Sequence, residues 1–84
     1  MHPKPYNENG SVRIFSKNAN SKDLIWHTDL EDREIAVISG DWLFQFDNEL
    51  PFELKAGSKV FIPKDTWHRI IKGSEDLVLN IKKL

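Results

Sequence analysis

The sequence predicts an all-β fold, an antiparallel barrel or sandwich of seven to eight short strands. Short apolar segments alternate with turn-forming residues along the whole chain. No segment has the apolar period of a helix over a length that would hold one. Three Trp, one Tyr and five Phe among 84 residues are enough to fill a small core or line a pocket.

The composition excludes several classes of protein. The chain has no cysteine, so it has no disulfide framework, zinc-thiolate site or thiol nucleophile. A net charge of −1 offers no overall field for nucleic acid or an anionic membrane. No apolar run approaches the roughly 20 residues of a spanning helix, and residues 1–10 lack the apolar stretch of a signal peptide. We expect a cytoplasmic protein whose partner is a small molecule.

The first part of the chain is interpreted as a lead-in and two strands. Residues 1–10, with two prolines and a glycine, are expected to be flexible, and residues 11–84 to form a single domain. Alternation predicts a strand over 11–16, and a polar turn follows. Residues 22–28 are predicted as a second strand and residues 29–32 as an acidic loop, in which Glu31 and Asp32 are expected to be exposed to solvent.

The middle of the chain is predicted to form strands joined by tight turns. Residues 34–38 are almost continuously apolar, which indicates a strand covered on both faces. Ser39-Gly40-Asp41 is interpreted as a hairpin turn leading to a strand over 42–46. Residues 51–54 are predicted to be short and peripheral. Because a small sheet must protect its edges, we expect a homodimer that buries this segment or the N-terminal strand.

Residues 57–71 predict a strand, a tight turn and another strand. Pro63 cannot donate to a ladder, so the strand over 60–62 should end there. Asp65 tolerates the left-handed backbone that a tight turn requires. The next strand opens close to His68, which places a histidine near the mouth of a barrel. A last strand covers 77–81.

Three residues are candidate metal ligands. His27 and Asp29 are two positions apart, so on an extended chain their side chains lie on the same face. An antiparallel fold could bring His68 to the same barrel mouth. Two imidazoles with one or two carboxylates suit Fe, Mn, Ni or Zn, and the ligand set does not choose among these metals.

The second half of the chain resembles the cupin family. The second motif of that family is Gly, five residues, Pro-x-Gly, two residues, His, three residues and Asn. Here Gly57, Pro63 and His68 keep the spacing, while Asp65 stands at the usual Gly and Lys72 at the usual Asn. The motif is fairly specific, and it supports the assignment of His68 to a site.

The first cupin motif is only partly kept. The family has His-x-His, three or four residues, Glu, six residues and Gly, whereas this chain has His27, Asp29, Glu34 and Gly40 with one residue fewer before the glycine. Similarity to cupins implies a small jelly-roll barrel, commonly dimeric and often holding one divalent metal. It implies little about the reaction, because fold does not give function.

The missing residue leaves two alternatives for the strand that follows the acidic loop. Counted forward from His27, the acidic ligand of the motif is Glu34; counted back from Gly40, its place is taken by Arg33. Neighbouring strand residues point to opposite faces, so only one of the two faces the pocket unless a bulge intervenes. We favour Arg33, which shares a face with Ile35 and Val37 and could bind an anionic ligand.

Further residues are assigned to ligand binding or to the core. Gln45 faces either a polar pocket or solvent, and with Arg33 and the tryptophans, Trp67 among them, it could recognise an anionic or sugar-like ligand. In that alternative the protein is a metal-free binding or regulatory module. Most aromatic side chains are expected in the core, and Arg69 is expected in an exterior ion pair.

Overall fold

Eight strands form two antiparallel sheets in the computed structural model, which describes residues 5–84. The strands are β1 (Tyr6–Asn9), β2 (Val12–Phe15), β3 (Arg33–Ser39), β4 (Leu43–Phe46), β5 (Phe52–Glu53), β6 (Lys59–Ile62), β7 (His68–Ile71) and β8 (Leu77–Lys83). The larger sheet has the order β1-β2-β8-β3-β6 and the smaller has the order β5-β4-β7. The predicted all-β fold of seven to eight antiparallel strands is confirmed.

The core lies between the facing sides of the two sheets. Alternate residues of each strand point inward, as in Ile35 and Val37 of β3, which are each 3% exposed. The buried side chains come from both sheets and from the turns that join them: Phe15, Ile35, Val37, Trp42, Phe44, Leu54, Val60, Ile62, Leu77 and Leu79. His68 is the buried polar residue among the described residues, at 3% exposure.

The chain changes sheets between β3 and β4, so the hairpin predicted at Ser39-Gly40-Asp41 is wrong. β3 belongs to the larger sheet and β4 to the smaller, and the two do not pair. Gly40 has a φ of 129°, and a Cβ there would lie 2.9 Å from the Leu77 side chain. A glycine is therefore needed at this corner, because it allows both the backbone angle and the close approach.

The N-terminal part of the chain differs from its expected structure. Tyr6–Asn9, within the expected flexible lead-in, pairs with β2; residues 1–4 lie outside the described residues. The strand predicted for 22–28 is wrong: a 3-10 helix covers Ser21–Asp23, and beyond it an isolated bridge forms at His27. Asn20 caps the 3-10 helix by accepting a hydrogen bond from the Lys22 N–H, so local capping overrides the alternation of apolar residues.

Two expectations about burial are also wrong. β3 is covered on one face only, and Ile38 on its other face is 51% exposed. Several aromatic residues expected in the core have exposed side chains: Trp26, Phe52, Phe61 and Trp67. Phe61 lies on the outer face of β6, and Trp26 and Trp67 lie outside the strands. Phe52 is opposite Phe44 on the inner side but belongs to the edge strand β5, which leaves it partly exposed. Among residues 5–84 no helix is long and apolar enough to cross a bilayer.

A hydrogen-bonded loop holds the β7–β8 connection in place. The Asp41 carboxylate accepts hydrogen bonds from the Ser74 hydroxyl and from the backbone N–H groups of Ser74 and Glu75, the latter two at 3.0 Å. These bonds favour the charged carboxylate and lower the pKa of Asp41, with the Ser74 hydroxyl the largest cause. Trp42 adds a hydrogen bond from its indole N–H to the Glu75 carbonyl at 2.5 Å.

We predict that Asp41→Ala lowers the melting temperature near pH 7. The pKa of Asp41 is lower in the folded protein than its ordinary value of 3.8. The contribution of Asp41 to the free energy of unfolding is therefore fully present above pH 3.8 and is lost as the pH falls through the folded pKa. The difference in melting temperature from the wild type should therefore shrink in acid. Asp47→Ala is the control, since Asp47 is exposed and its carboxylate has no recorded hydrogen bond. An equal effect of both variants would contradict this role.

Candidate metal centre

Backbone pairing brings two distant histidines together. The His27 N–H donates to the His68 carbonyl and the His68 N–H donates to the His27 carbonyl, each at 3.0 Å. This isolated antiparallel bridge attaches the irregular segment after the 3-10 helix to the first residue of β7. The two imidazole rings lie edge to face, with centroids 4.3 Å apart.

The turn that precedes β7 fixes the acidic loop. Asp65 adopts a φ of 61°, the left-handed conformation for which glycine is usual at this place in the cupin motif. Its N–H donates to the Asp29 carbonyl at 2.8 Å, and the Lys64 N–H donates to the Asp32 carboxylate at 2.8 Å. Asp32 is thus a turn anchor, whereas the sequence predicted a solvated residue.

These connections place His27, Asp29 and His68 in one cluster. One ligand atom from each residue lies within 4.8 Å of the other two. The Nε2 atom of His68 is 3.3 Å from the Oδ2 atom of Asp29. His27 is exposed, Asp29 is half-buried and His68 is buried, so the cluster extends from the surface into the interior. Two imidazoles and one carboxylate fit a divalent metal ion.

Backbone carbonyls determine which nitrogen of each imidazole is free. The Nδ1 atom of His27 lies 3.0 Å from the Ile25 carbonyl oxygen, and the Nδ1 atom of His68 lies 2.8 Å from the Thr66 carbonyl oxygen. A carbonyl oxygen only accepts hydrogen bonds, so each Nδ1 carries the proton. In the neutral rings Nε2 then holds a lone pair that is available to a metal.

Burial keeps the His68 imidazole neutral. The ring is stacked on Phe44, with a centroid distance of 5.5 Å and an interplanar angle of 10°. Desolvation is the largest cause that lowers the pKa of His68 below its ordinary value of 6.5, and His27 and Arg33 lower it further. The hydrogen bond to Thr66 and the charge of Asp29 act in the opposite direction.

Arg33 faces the site and Glu34 faces away from it. The Nη1 atom of Arg33 lies 3.4 Å from the Oδ1 atom of Asp29, and its Nη2 atom donates to Glu31 at 3.0 Å. Glu34 is on the outer face of β3, where its carboxylate is 4.0 Å from Lys59. The register shift between β3 and β8 comes after Val37, so it leaves the orientation of Arg33 unchanged.

Gln45 and Trp67 do not line the cavity that opens beside the cluster, and their role in ligand binding stays a prediction. In β4 and β7, Gln45 pairs with Arg69, on the face opposite to Phe44 and His68. The Gln45 side chain donates to the Glu49 carbonyl and accepts from Arg69, each at 2.9 Å. Trp67 is 53% exposed, because strand alternation turns it away from the inward-facing His68.

Arg69 and Trp26 form a contact that the sequence analysis did not identify. The guanidinium of Arg69 lies 4.7 Å from the centre of the Trp26 ring. Among the described residues, Arg69 does not form the exterior ion pair that the sequence predicted. These residues adjoin His68 and His27 respectively. The contact therefore joins the two histidine-bearing segments on the outer side. Only the pairing of β7 with the segment before Asp29 reveals it.

A cavity of about 670 Å³ opens beside the cluster. Its lining includes His27, Asp29, Arg33 and His68 but neither Glu34 nor Gln45 nor Trp67. Most of the other lining residues are apolar and come from both sheets: Phe15, Ile35, Phe44, Ile62, Ile70, Leu79 and Ile81. The volume is within the usual range for small-molecule sites.

Solved structures with a similar fold include DMSP lyases, Fe(II) HppE and a protein of unknown function from Streptococcus pyogenes. The DMSP lyase DddQ from Ruegeria pomeroyi DSS-3 aligns with a TM-score of 0.72 and 16% identity, over 83% of this chain and 34% of that chain. A chain from crystal structures of the DMSP lyases RdDddP and RnDddQII aligns with a TM-score of 0.68 and 21% identity, over 87% of this chain and 38% of that chain. Fe(II) HppE in complex with substrate aligns with a TM-score of 0.68 and 17% identity, over 100% of this chain and 55% of that chain.

The chain has a cupin-type fold. The identities are all too low to carry more than the fold, and the chain spans only about a third of the length of the two lyase structures. No protein-family model matches the sequence, and no curated protein matches it closely enough to show a family. The fold implied by the cupin motifs is therefore confirmed, whereas the activity of these enzymes is not carried over.

We predict that both imidazoles of the metal-free protein carry their proton on Nδ1 at pH 7.5. Long-range nitrogen–proton NMR correlations distinguish the two tautomers directly. His68 should also titrate below 6.5, since burial opposes its charge. A proton on Nε2 of neutral His68 would contradict the assignment, because that group would then donate to Asp29 and leave no lone pair for a metal.

Proposed function

We propose that this chain is a single-domain cupin in which His27, Asp29 and His68 hold one divalent transition metal, and in which the metal and Arg33 bind a small anionic molecule. Two imidazoles and a carboxylate are the donors of the facial triad in non-haem iron(II) oxygenases, and imidazole also suits Zn and Ni. Three protein donors leave coordination positions open for a ligand. When bound, the metal would supply Lewis acidity at the mouth of the cavity.

One observation carries the proposal. The Nε2 atom of His68 and the Oδ2 atom of Asp29 face each other at 3.3 Å, and both are acceptors when the Nδ1 atom of His68 donates to Thr66. Two facing lone pairs are unfavourable unless a cation or a proton lies between them. Burial of His68 disfavours the extra proton, and a metal ion bound by both atoms would satisfy them.

Arg33 supports the anionic character of the ligand. Its guanidinium is held in the cavity wall by Asp29 and Glu31, and the guanidinium group has five N–H donors in a fixed geometry. A metal ion bound to Asp29 would weaken the ion pair between Asp29 and the Nη1 atom of Arg33. That side of the guanidinium would then be available to a carboxylate or similar group. Arg33 would orient the ligand while the metal binds it.

The alternative is a metal-free binding module that uses Arg33 alone. Gln45 and Trp67 do not line the cavity, so Arg33 gives that alternative its main support. A homodimer and a cytoplasmic location stay predictions. β5, which lies within residues 51–54, and the N-terminal strand β1 are edge strands of the smaller and the larger sheet, and edge pairing with a second copy would occur at one of them.

We predict that untagged protein binds about one equivalent of a divalent transition metal per chain, since each chain offers one ligand set. Asp29→Asn and His68→Ala should each reduce the metal content below about one-tenth of an equivalent, because either change removes one of three donors. Elemental analysis after expression, and calorimetric titration of the metal-free protein with Fe(II), Mn(II), Ni(II) and Zn(II), measure this.

Glu34→Gln is the matched control for these variants. It also removes a carboxylate beside the acidic loop, but one on the outer face of β3, so the metal content should not change. Loss of metal from Glu34→Gln together with retention in Asp29→Asn would show that the ligand set is wrong. A wild type without metal would refute the proposal.

We predict that Arg69→Gln weakens metal binding by about two- to five-fold, the equivalent of one cation–π contact of 0.5–1 kcal/mol. The reason is that Arg69 and Trp26 hold the two histidine segments together without contacting the metal. Lys59→Gln removes a cation from the outer face of the other sheet and should leave the affinity unchanged. Equal affinities in wild type and Arg69→Gln would show that the bridge suffices without this contact.

A further inference from the structure

The polar lining residues of the cavity form two groups, the metal cluster with Arg33 and a second group of Tyr6, Arg13, Lys22 and Asp23, and most of the other lining residues are apolar. Beside the cluster stand Phe44 and Ile70 from the smaller sheet and Ile35 and Leu79 from the larger sheet. Leu24 closes part of the same space from the segment after the 3-10 helix. A fully polar ligand would leave these walls without partners, whereas an apolar body would be removed from water along them.

A second cation in the lining is already compensated. Arg13 lies opposite Leu79 on the inner face of the larger sheet, and its guanidinium is 3.5 Å from Glu8 and 4.3 Å from the centre of the Tyr6 ring. Leu79 in turn pairs with Val37 of β3, so Arg13 is two strand spacings, about 10 Å, from Val37. Val37 is four residues, about 13 Å, along β3 from Arg33. Lys22 and Asp23, which also line the cavity, carry opposite charges, so neither Arg13 nor this pair requires a second acidic group on the ligand.

The charges around the cluster favour one acidic group at the other end. Asp29 and Glu31 contribute two negative charges, and Arg33 and Lys83, which is 3.8 Å from Glu31, contribute two positive charges. With neutral imidazoles the group sums to zero, so a divalent metal leaves an excess of two positive charges. An anionic ligand lowers that excess in a partly buried place, where charges interact strongly.

We infer that the cavity binds a small organic monoanion with an apolar body, whose acidic group lies at Arg33 beside the metal cluster and whose body lies along the walls formed by both sheets. The inference rests on the proposed function and narrows its ligand from a small polar or anionic molecule to an amphipathic acid. Arg33 orients the acidic group, and the length of the apolar body determines affinity.

Binding of butanoate, hexanoate and octanoate to the Zn(II)-loaded protein tests the inference. Affinity measured by calorimetry should rise about four-fold with each methylene group. Neutral 1-hexanol and cationic hexan-1-amine should bind at least ten-fold more weakly than hexanoate. Arg33→Gln should weaken hexanoate but leave 1-hexanol unchanged, because only the carboxylate contacts the guanidinium. The same series is repeated in EDTA.

Two variants separate the cavity from the rest of the surface. Leu24→Ser should flatten the dependence on chain length, because it removes part of the apolar wall from a segment outside the sheets. Leu50→Ser is the matched control, because Leu50 is 88% exposed and does not line the cavity. This variant should bind the three carboxylates with the affinities of the wild type. An equal loss in both variants would place the binding outside the cavity and overturn the inference.

The outcomes distinguish the inference from the metal site. If Zn(II) binds but affinity does not change with chain length, or 1-hexanol equals hexanoate, the inference is overturned and the metal site stands. If Zn(II) does not bind, the metal site fails. The inference is then supported only if binding in EDTA keeps its dependence on chain length and on Arg33, and it is overturned if it does not.

Discussion

The pairing of His27 with His68 is the interaction on which the site depends. The segment between the 3-10 helix and β3 has no strand of its own, and two reciprocal backbone hydrogen bonds attach it to the start of β7. The Asp65 N–H extends the attachment to the Asp29 carbonyl. Together with the Arg33 ion pair, these bonds hold the Asp29 carboxylate against the buried imidazole, because Asp29 itself lies in an irregular loop.

The same backbone contacts also determine the chemistry of the side chains. Carbonyl oxygens of Ile25 and Thr66, each two residues before a histidine, accept from Nδ1 and so direct both Nε2 lone pairs away from the backbone. Arg33 holds the other oxygen of Asp29. The Asp29 carboxylate, between a guanidinium and an imidazole acceptor, belongs to a group of residues that fits a divalent metal ion, and a largely apolar cavity opens beside it.

Particular residues show why prediction succeeded or failed. The turn at Asp65 followed from local backbone preferences, and the structure has the expected left-handed angle there. The strand predicted over 22–28 was wrong because the Asn20 cap favours a 3-10 helix there, and Leu24 and Ile25 beyond it line the cavity without pairing in a sheet. Phe61 was assigned to the core by hydrophobicity, yet it lies on the outer face of β6, and hydrophobicity does not identify which face of a sheet is covered. The contact of Arg69 with Trp26 could not be predicted from the sequence, because it depends on the pairing of His27 with His68.

The sequence by itself determined the all-β class, the cupin-type arrangement around Gly57–His68 and the three residues that could hold a metal, because turn chemistry, strand alternation and motif spacing are local properties. It left open whether Arg33 or Glu34 faces the pocket. The tertiary structure decided that Arg33 does, that the chain changes sheets at Gly40 and that His27 lies beside His68. These facts depend on which strands pair and which face is covered, and only the assembled sheets fix both.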